Sequence, residues 1–266
     1  VGRTLGATSH NYVWEEYTIG ESGALYDVWG TDENNVYAVG GVRINDTTYG
    51  VIHWDGTQWK PELKVGGKYA IYGFDRDDIW ITGTSIYHYN GSNWIRVSDQ
   101  DPILNEYITY TCLWGTSSEN LYFGNQGGKI VHWDGRRGRL ENVQTVKLTD
   151  IWGFSSDDIY ACGTDYRAEL YHFDGASWSL VIIGDTPPNS GQIQDPFYSF
   201  WGADNNYKYL AGYYVYQNAI EDWGNKLDFG YNIEKIRGSS SNNIFTVGHL
   251  GGYHTSMELT GIPMKN

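Results

Sequence analysis

The chain has 266 residues, a formal charge of -14, 16% aromatic residues and 19% charged residues. That length allows one large all-β domain or two ordinary ones, and the aromatic share excludes a disordered or solvating chain. The acidity argues against nucleic acid or an anionic membrane as partner, since both need a basic footprint. No run of about 18 apolar residues is available to cross a membrane.

The first readable element is HNYVWEEYTI, His10 to Ile19, an isolated strand pattern with Trp14 near its middle. No charged-then-apolar leader precedes it, so the chain is expected to be mature, trimmed or cytosolic. A repeat follows. Short apolar strands ending in a glycine, a polar turn and a second strand ending in glycine recur as LYDVWGTDENNVYAVG from Leu25, YAIYGFDRDDIWITG from Tyr69 and YTCLWGTSSENLYFG from Tyr110. They return as LTDIWGFSSDDIYACG from Leu148, YSFWGADNNYKYLAG from Tyr198 and IEKIRGSSSNNIFTVG from Ile233.

Each unit continues with a third strand ending in a His-aromatic-Asp-Gly phrase and a fourth that opens on tryptophan. These read HWDGTQW from His53, HYNGSNW from His88 and HFDGASW from His172. HWDG from His132 has Gly138 where the tryptophan is expected, and the fifth unit degenerates around Glu221 to Gly224. Asp-Gly between apolar runs signals a hairpin whose two central residues take positive φ.

The glycines ending the first strands stand at 30, 73, 115, 153, 202 and 238, spacings that fit a four-stranded propeller blade. The expected fold is all-β: a single domain over 1-266, a six-bladed β-propeller of four-stranded antiparallel blades. Blades are expected at 25-64, 68-98, 109-142, 148-182, 197-229 and 233-260. The last lacks a tryptophan-bearing strand, and residues 10-19 are expected to supply it and close the ring.

The phrases WGxSxDDIYAVG and GxIxHWDGxxW resemble the degenerate propeller repeats of bacterial secreted and surface proteins, distantly similar to BNR/Asp-box and photosystem-assembly-factor propellers. The resemblance covers about His10 to Gly261 and implies an extracellular, cell-surface or periplasmic location, a lipoprotein form included. Such repeats occur in lectins, glycosidases, adhesins and assembly factors alike. The strict Asp-box phrase is only approximated, which argues against a sialidase-like activity.

In a four-stranded blade the loops after the first and third strands share one end, where the turns here are uniform. The loops after the second and fourth strands are irregular in sequence: Val42 to Tyr49, Ser98 to Tyr107, Gly184 to Phe197 and Tyr213 to Asn218. Irregularity on one face of a repeat protein marks a binding face. The expected ligand-binding residues are Tyr49, Asn105, Tyr107, Asp165, Tyr166, Arg167, Tyr214 and Tyr216, because tyrosine joins a flat apolar face to a hydroxyl. The bland alternative is that they pack their own loops.

His53, His88, His132, His172 and His254 occupy one repeat register on different blades, so they are expected to make structural hydrogen bonds and not to converge on a metal. Tryptophans at repeat positions are expected between blades, acidic turns are expected to be capped by Asx side chains and not to hold calcium, and Cys112 and Cys162 are expected as buried thiols. No cofactor is expected.

No nucleophile elbow, metalloprotease or phosphate-loop phrase occurs. The leading expectation is a non-catalytic binding module for a protein or glycan ligand. One alternative is a glycan-processing hydrolase or lyase using Asp27, Asp150 and Glu234 at a channel mouth. Another is a structural subunit of a larger surface assembly.

Overall fold

A computed structural model describes residues 15–105, 108–141, 143, 147–164, 168–181, 196–219, 222–230, 232–241, 243–250 and 253–259. They form 23 strands and one 3-10 turn, with no α-helix among the described residues. None of the described helices is long and apolar enough to cross a membrane. The chain divides into two compact units, Tyr17–Ser156 and Val1–Glu16 with Asp157–Asn266.

The first unit holds three four-stranded sheets. Sheet one is β1 (Ser22–Asp32), β2 (Asn35–Ile44), β3 (Thr47–Trp54) and β4 (Trp59–Leu63); sheet two is β5 (Lys68–Asp75), β6 (Asp78–Gly83), β7 (Tyr87–Tyr89) and β8 (Trp94–Arg96). Sheet three is β9 (Tyr110–Ser117), β10 (Asn120–Asn125), β11 (Ile130–Trp133) and β12 (Gly138–Leu140), and β13 (Leu148–Ser155) ends the unit. The second unit opens with β14 (Asp158–Thr164), β15 (Ala168–Phe173) and β16 (Trp178–Leu180). It continues with a four-stranded sheet of β17 (Phe197–Asp204), β18 (Tyr207–Gly212), β19 (Val215–Ala219) and β20 (Asp222–Leu227). Its last sheet has three strands, β21 (Asn232–Ser240), β22 (Asn243–Leu250) and β23 (Tyr253–Leu259).

Paired strands are antiparallel and follow one another in sequence order, as a meander requires. Continuous apolar runs bury both faces of the second strands: Tyr37, Ala38 and Val39, and Ile79, Trp80 and Ile81, are all buried in the first unit, and Tyr209, Leu210 and Ala211 in the second. Cys112 and Cys162 are buried thiols.

The tryptophan-glycine phrase has a packing reason. A Cβ on Gly73 would lie 2.5 Å from the Trp29 ring, one on Gly153 2.5 Å from the Trp114 ring, and one on Gly238 2.7 Å from the Trp201 ring. Three first strands therefore accept the indole of the preceding sheet on their own glycine, as expected of rings wedged between repeats.

Turns correct the sequence reading in two places. In the four sheets that carry the histidine phrase the connection between third and fourth strands is four residues long, and only glycine has positive φ, as at Gly56 (φ 88°) and Gly175 (φ 88°). The aspartate closes it with its side chain: Asp55 Oδ1 accepts from the N–H groups of Thr57 and Gln58 at 2.9 Å each, and Asp174 Oδ1 from Ala176 and Ser177 at 2.9 Å each. The two-residue turn with both φ values positive is instead Asn45-Asp46 (φ 47° and 61°), between β2 and β3. Val42 to Tyr49 is thus a regular hairpin and not an irregular loop.

The expected closing strand falls partly outside the described residues, which begin at Glu15. Glu15–Ile19 form no strand, and no closed sheet is found among the described residues.

Candidate functional site

The histidine register is structural. His53 Nε2 lies 2.8 Å from Asn35 Oδ1, His88 Nε2 2.8 Å from Asp78 Oδ1, His132 Nε2 2.7 Å from Asn120 Oδ1 and His172 Nε2 2.8 Å from Asp158 Oδ1. Each ring also stacks on the aromatic residue opposite it in the second strand, Tyr37, Trp80, Tyr122 or Tyr160, at centroid distances of 4.1 to 4.4 Å. His254 does not belong to this register: it pairs with His249, while Glu258 stands opposite Phe245 where the histidine would be. In sheet β17–β20 the position is held by Gln217, opposite Tyr209.

The acidic turns cap backbone. Asp32 Oδ1 accepts from Asn34 N–H at 2.9 Å and Asp204 Oδ1 from Asn206 N–H at 2.7 Å, and no group of three metal-ligating side chains gathers among the described residues.

The expected binding residues fare unevenly. Tyr107, Asp165, Tyr166 and Arg167 lie outside the described residues. Tyr49 sits within β3 opposite Val42, half-buried, with Lys64 Nζ 6.0 Å from its ring centroid. Asn105 is exposed in a turn, and its N–H donates to Asp101 O at 3.0 Å. Tyr216 is not in a loop: it lies in β19 between Leu210 and Lys226, 9% exposed, and its ring meets those of Phe197 and Tyr214 edge-on at 5.9 and 6.4 Å. The structure brings Tyr214 and Tyr216 together, and they pack their own hairpin.

A different set of tyrosines is presented. Five first strands have a β-bulge four residues before the repeat glycine, where one residue has no partner across the ladder. These residues are Tyr26, Tyr69, Thr111, Tyr198 and Glu234. A bulge re-aims the side chain it carries. Tyr26, 55% exposed, stacks on Tyr69 at 5.1 Å and 29°, beside the exposed Leu25 and Val28. In the other unit burial, with Tyr213 and Glu234 nearby, raises the pKa of Tyr198 above the ordinary tyrosine value. The sequence signal is a tyrosine four places before glycine in three units, which inside a strand pattern looks like any other strand residue.

The residue after two of these bulges ties neighbouring sheets. Asp27 Oδ2 accepts from Ile71 N–H at 3.2 Å, and Ser199 Oγ accepts from Ile236 N–H at 3.2 Å in the equivalent place. Asp27 Oδ1 also accepts from Val28 N–H at 3.1 Å. Asp150, at the same distance before its glycine, is 1% exposed. Two of the carboxylates considered for glycoside chemistry thus occupy a position used for holding first strands.

No protein-family profile matches the chain, and no curated protein matches it. Among solved structures it is similar to YCF48 bound to D1 peptide, with a TM-score of 0.61 and 14% identity over 96% of this chain and 98% of that one. It is also similar to YCF48 from Cyanidioschyzon merolae, with a TM-score of 0.58 and 12% identity over 88% and 95%. The β-propeller domain of Cps50 (Swd1) from Myceliophteria thermophila gives 0.66 and 12% over 91% and 85%. Together with the repeated antiparallel meanders, these likenesses show a β-propeller fold.

Proposed function

We propose that the chain is a non-catalytic module that grips a protein partner through the tyrosine-bearing ends of its first strands. The single observation that carries this is the stack of the exposed Tyr26 on the half-buried Tyr69 at two successive bulges. Tyrosine offers contact area at low entropic cost, and aromatic residues dominate binding energies. A similar structure described as bound to a peptide supports a protein ligand over a glycan. The commitment of Asp27 to Ile71 N–H and Val28 N–H, and the burial of Asp150, weigh against the hydrolase or lyase alternative.

The same reading takes the six repeats as blades of one propeller domain over 1-266, in a protein working outside the cytoplasm. It is tested by capture from the native source alongside a glycan array, using the wild type and Tyr26→Ala/Tyr69→Ala. A protein captured by the wild type and held about tenfold more weakly by the variant is expected. Equal capture by both, or glycan binding alone, overturns it.

A further inference from the structure

Sheet three departs from its neighbours at one residue. In β4, β8 and β16 the fourth strand opens with Trp59, Trp94 and Trp178, opposite Trp54, Tyr89 and Phe173. β12 opens with Gly138, opposite Trp133. A Cβ there would meet Val131 at 2.9 Å, Asp101 at 3.3 Å and Leu104 at 3.5 Å. The turn after β8 has taken the indole's place. Leu104 is 1% exposed in the core cluster that includes Val131 and Trp133. The buried Asp101 accepts from Gly138 N–H at 2.8 Å through Oδ2, and from Ile103 and Leu104 N–H at 2.8 and 3.1 Å through Oδ1.

A turn fills the space of a tryptophan imperfectly. Beside it lies a cleft of about 570 Å³ lined by Ile103, His132, Asp134, Arg137, Arg139 and Leu140. Arg136, Arg137 and Arg139 fall within four residues, in a chain whose charge is -14. The acids beside them leave part of this charge unmatched, since one is taken up mainly by backbone and the other meets a single guanidinium nitrogen of Arg139. Asp134 Oδ1 accepts from Arg136 and Arg137 N–H at 3.0 and 2.9 Å, and Glu141 pairs with Arg139 at 3.1 Å.

The Arg137 side chain is 83% exposed and comes no nearer than 3.7 Å to Asp134 Oδ2. Arg139 is also oriented by His132 Nδ1 at 3.3 Å. Because the His132 Nε2–H is given to Asn120 Oδ1, Nδ1 of the neutral ring is left as an acceptor. Ile103 is half-buried and Leu140 is 43% exposed, so the cationic end of the cleft adjoins an apolar one.

We infer that this cleft binds a carboxylate carried on a short aliphatic chain, with the Arg137 and Arg139 guanidinium groups taking the carboxylate and Ile103 and Leu140 the chain. Arginine matches a carboxylate in a planar, two-pronged geometry that lysine lacks. A free aliphatic acid and the carboxyl end of a peptide share this chemistry. The inference does not depend on the tyrosine stack.

The test is an NMR titration of the whole chain with three probes: hexanoate, hexanamide, and an N-acetylated tetrapeptide ending in a free leucine carboxylate. Saturable shifts of the Arg137 side chain and Leu140 methyl groups are expected with hexanoate, the peptide or both. Affinity should fall about tenfold or more in Arg137→Gln and stay unchanged in Arg76→Gln, a surface arginine of another sheet. Hexanoate alone would identify a small-acid site, and the peptide alone a carboxyl-terminal one. No saturable shift with either, equal affinity for hexanamide, or undiminished affinity in a folded Arg137→Gln overturns the inference.

Discussion

His53 and His132 carry the residue-scale consequence of the repeat. Burial holds the pKa of both below the ordinary histidine value, and each faces an asparagine amide oxygen that only an N–H can satisfy. A depressed folded pKa means the unfolded chain takes up the proton first. Their contribution is therefore complete above about pH 6.5 and is lost as the pH falls through the depressed value. Asn120→Asp places a carboxylate against His132 and is expected to raise its titration midpoint by roughly one unit, read by NMR. An unmoved midpoint would mean that solvent, and not this contact, governs the ring. Lys68 is a buried cation: it donates to Ser85 O at 2.9 Å and lies 4.7 Å from the Tyr87 ring centroid, and burial followed by Arg96 lowers its pKa to about 8.

At the scale of the element, the first strand does three jobs within four residues. Tyr26 bulges outward, Asp27 ties the next sheet through Ile71 N–H, and Trp29 lies on Gly73. Gly153→Ala is expected to destabilise by about 1–3 kcal/mol through overpacking against Trp114. Trp114→Leu should recover part of that loss in the double variant, seen as a non-additive chemical-denaturation cycle. Additive losses would show that the indole does not fix the glycine.

The strands and their phase were legible in the sequence because periodicity and glycine punctuation repeat, and the histidine role followed from one register on separate sheets. What escaped was three-dimensional. A bulge has no composition of its own, so Tyr26 looked like an ordinary strand residue, and Tyr216 looked like a loop residue because its unit lacks the histidine phrase. His254 looked like a register histidine from its neighbours in sequence, and only strand pairing puts Glu258 there. Asp101, which replaces a tryptophan with a turn, gave no sequence signal beyond the missing ring itself.

At the scale of the whole molecule, a propeller buries each first strand with the sheet before it, and β1 has no such sheet within its own unit. Leu25, Tyr26 and Val28 of β1 are 42%, 55% and 61% exposed, whereas Leu113 and Trp114 of β9 are 6% and 4% exposed. Closing the ring would cover part of that face; leaving it open keeps it for a partner. Deleting residues 1-20 separates the two. Under closure the melting temperature is expected to fall by at least about 5 °C, far more than loss of an ordinary tail would cost. An unchanged melting temperature would end the closure reading and leave the exposed face of β1, with the Tyr26–Tyr69 stack on it, as surface available to a partner.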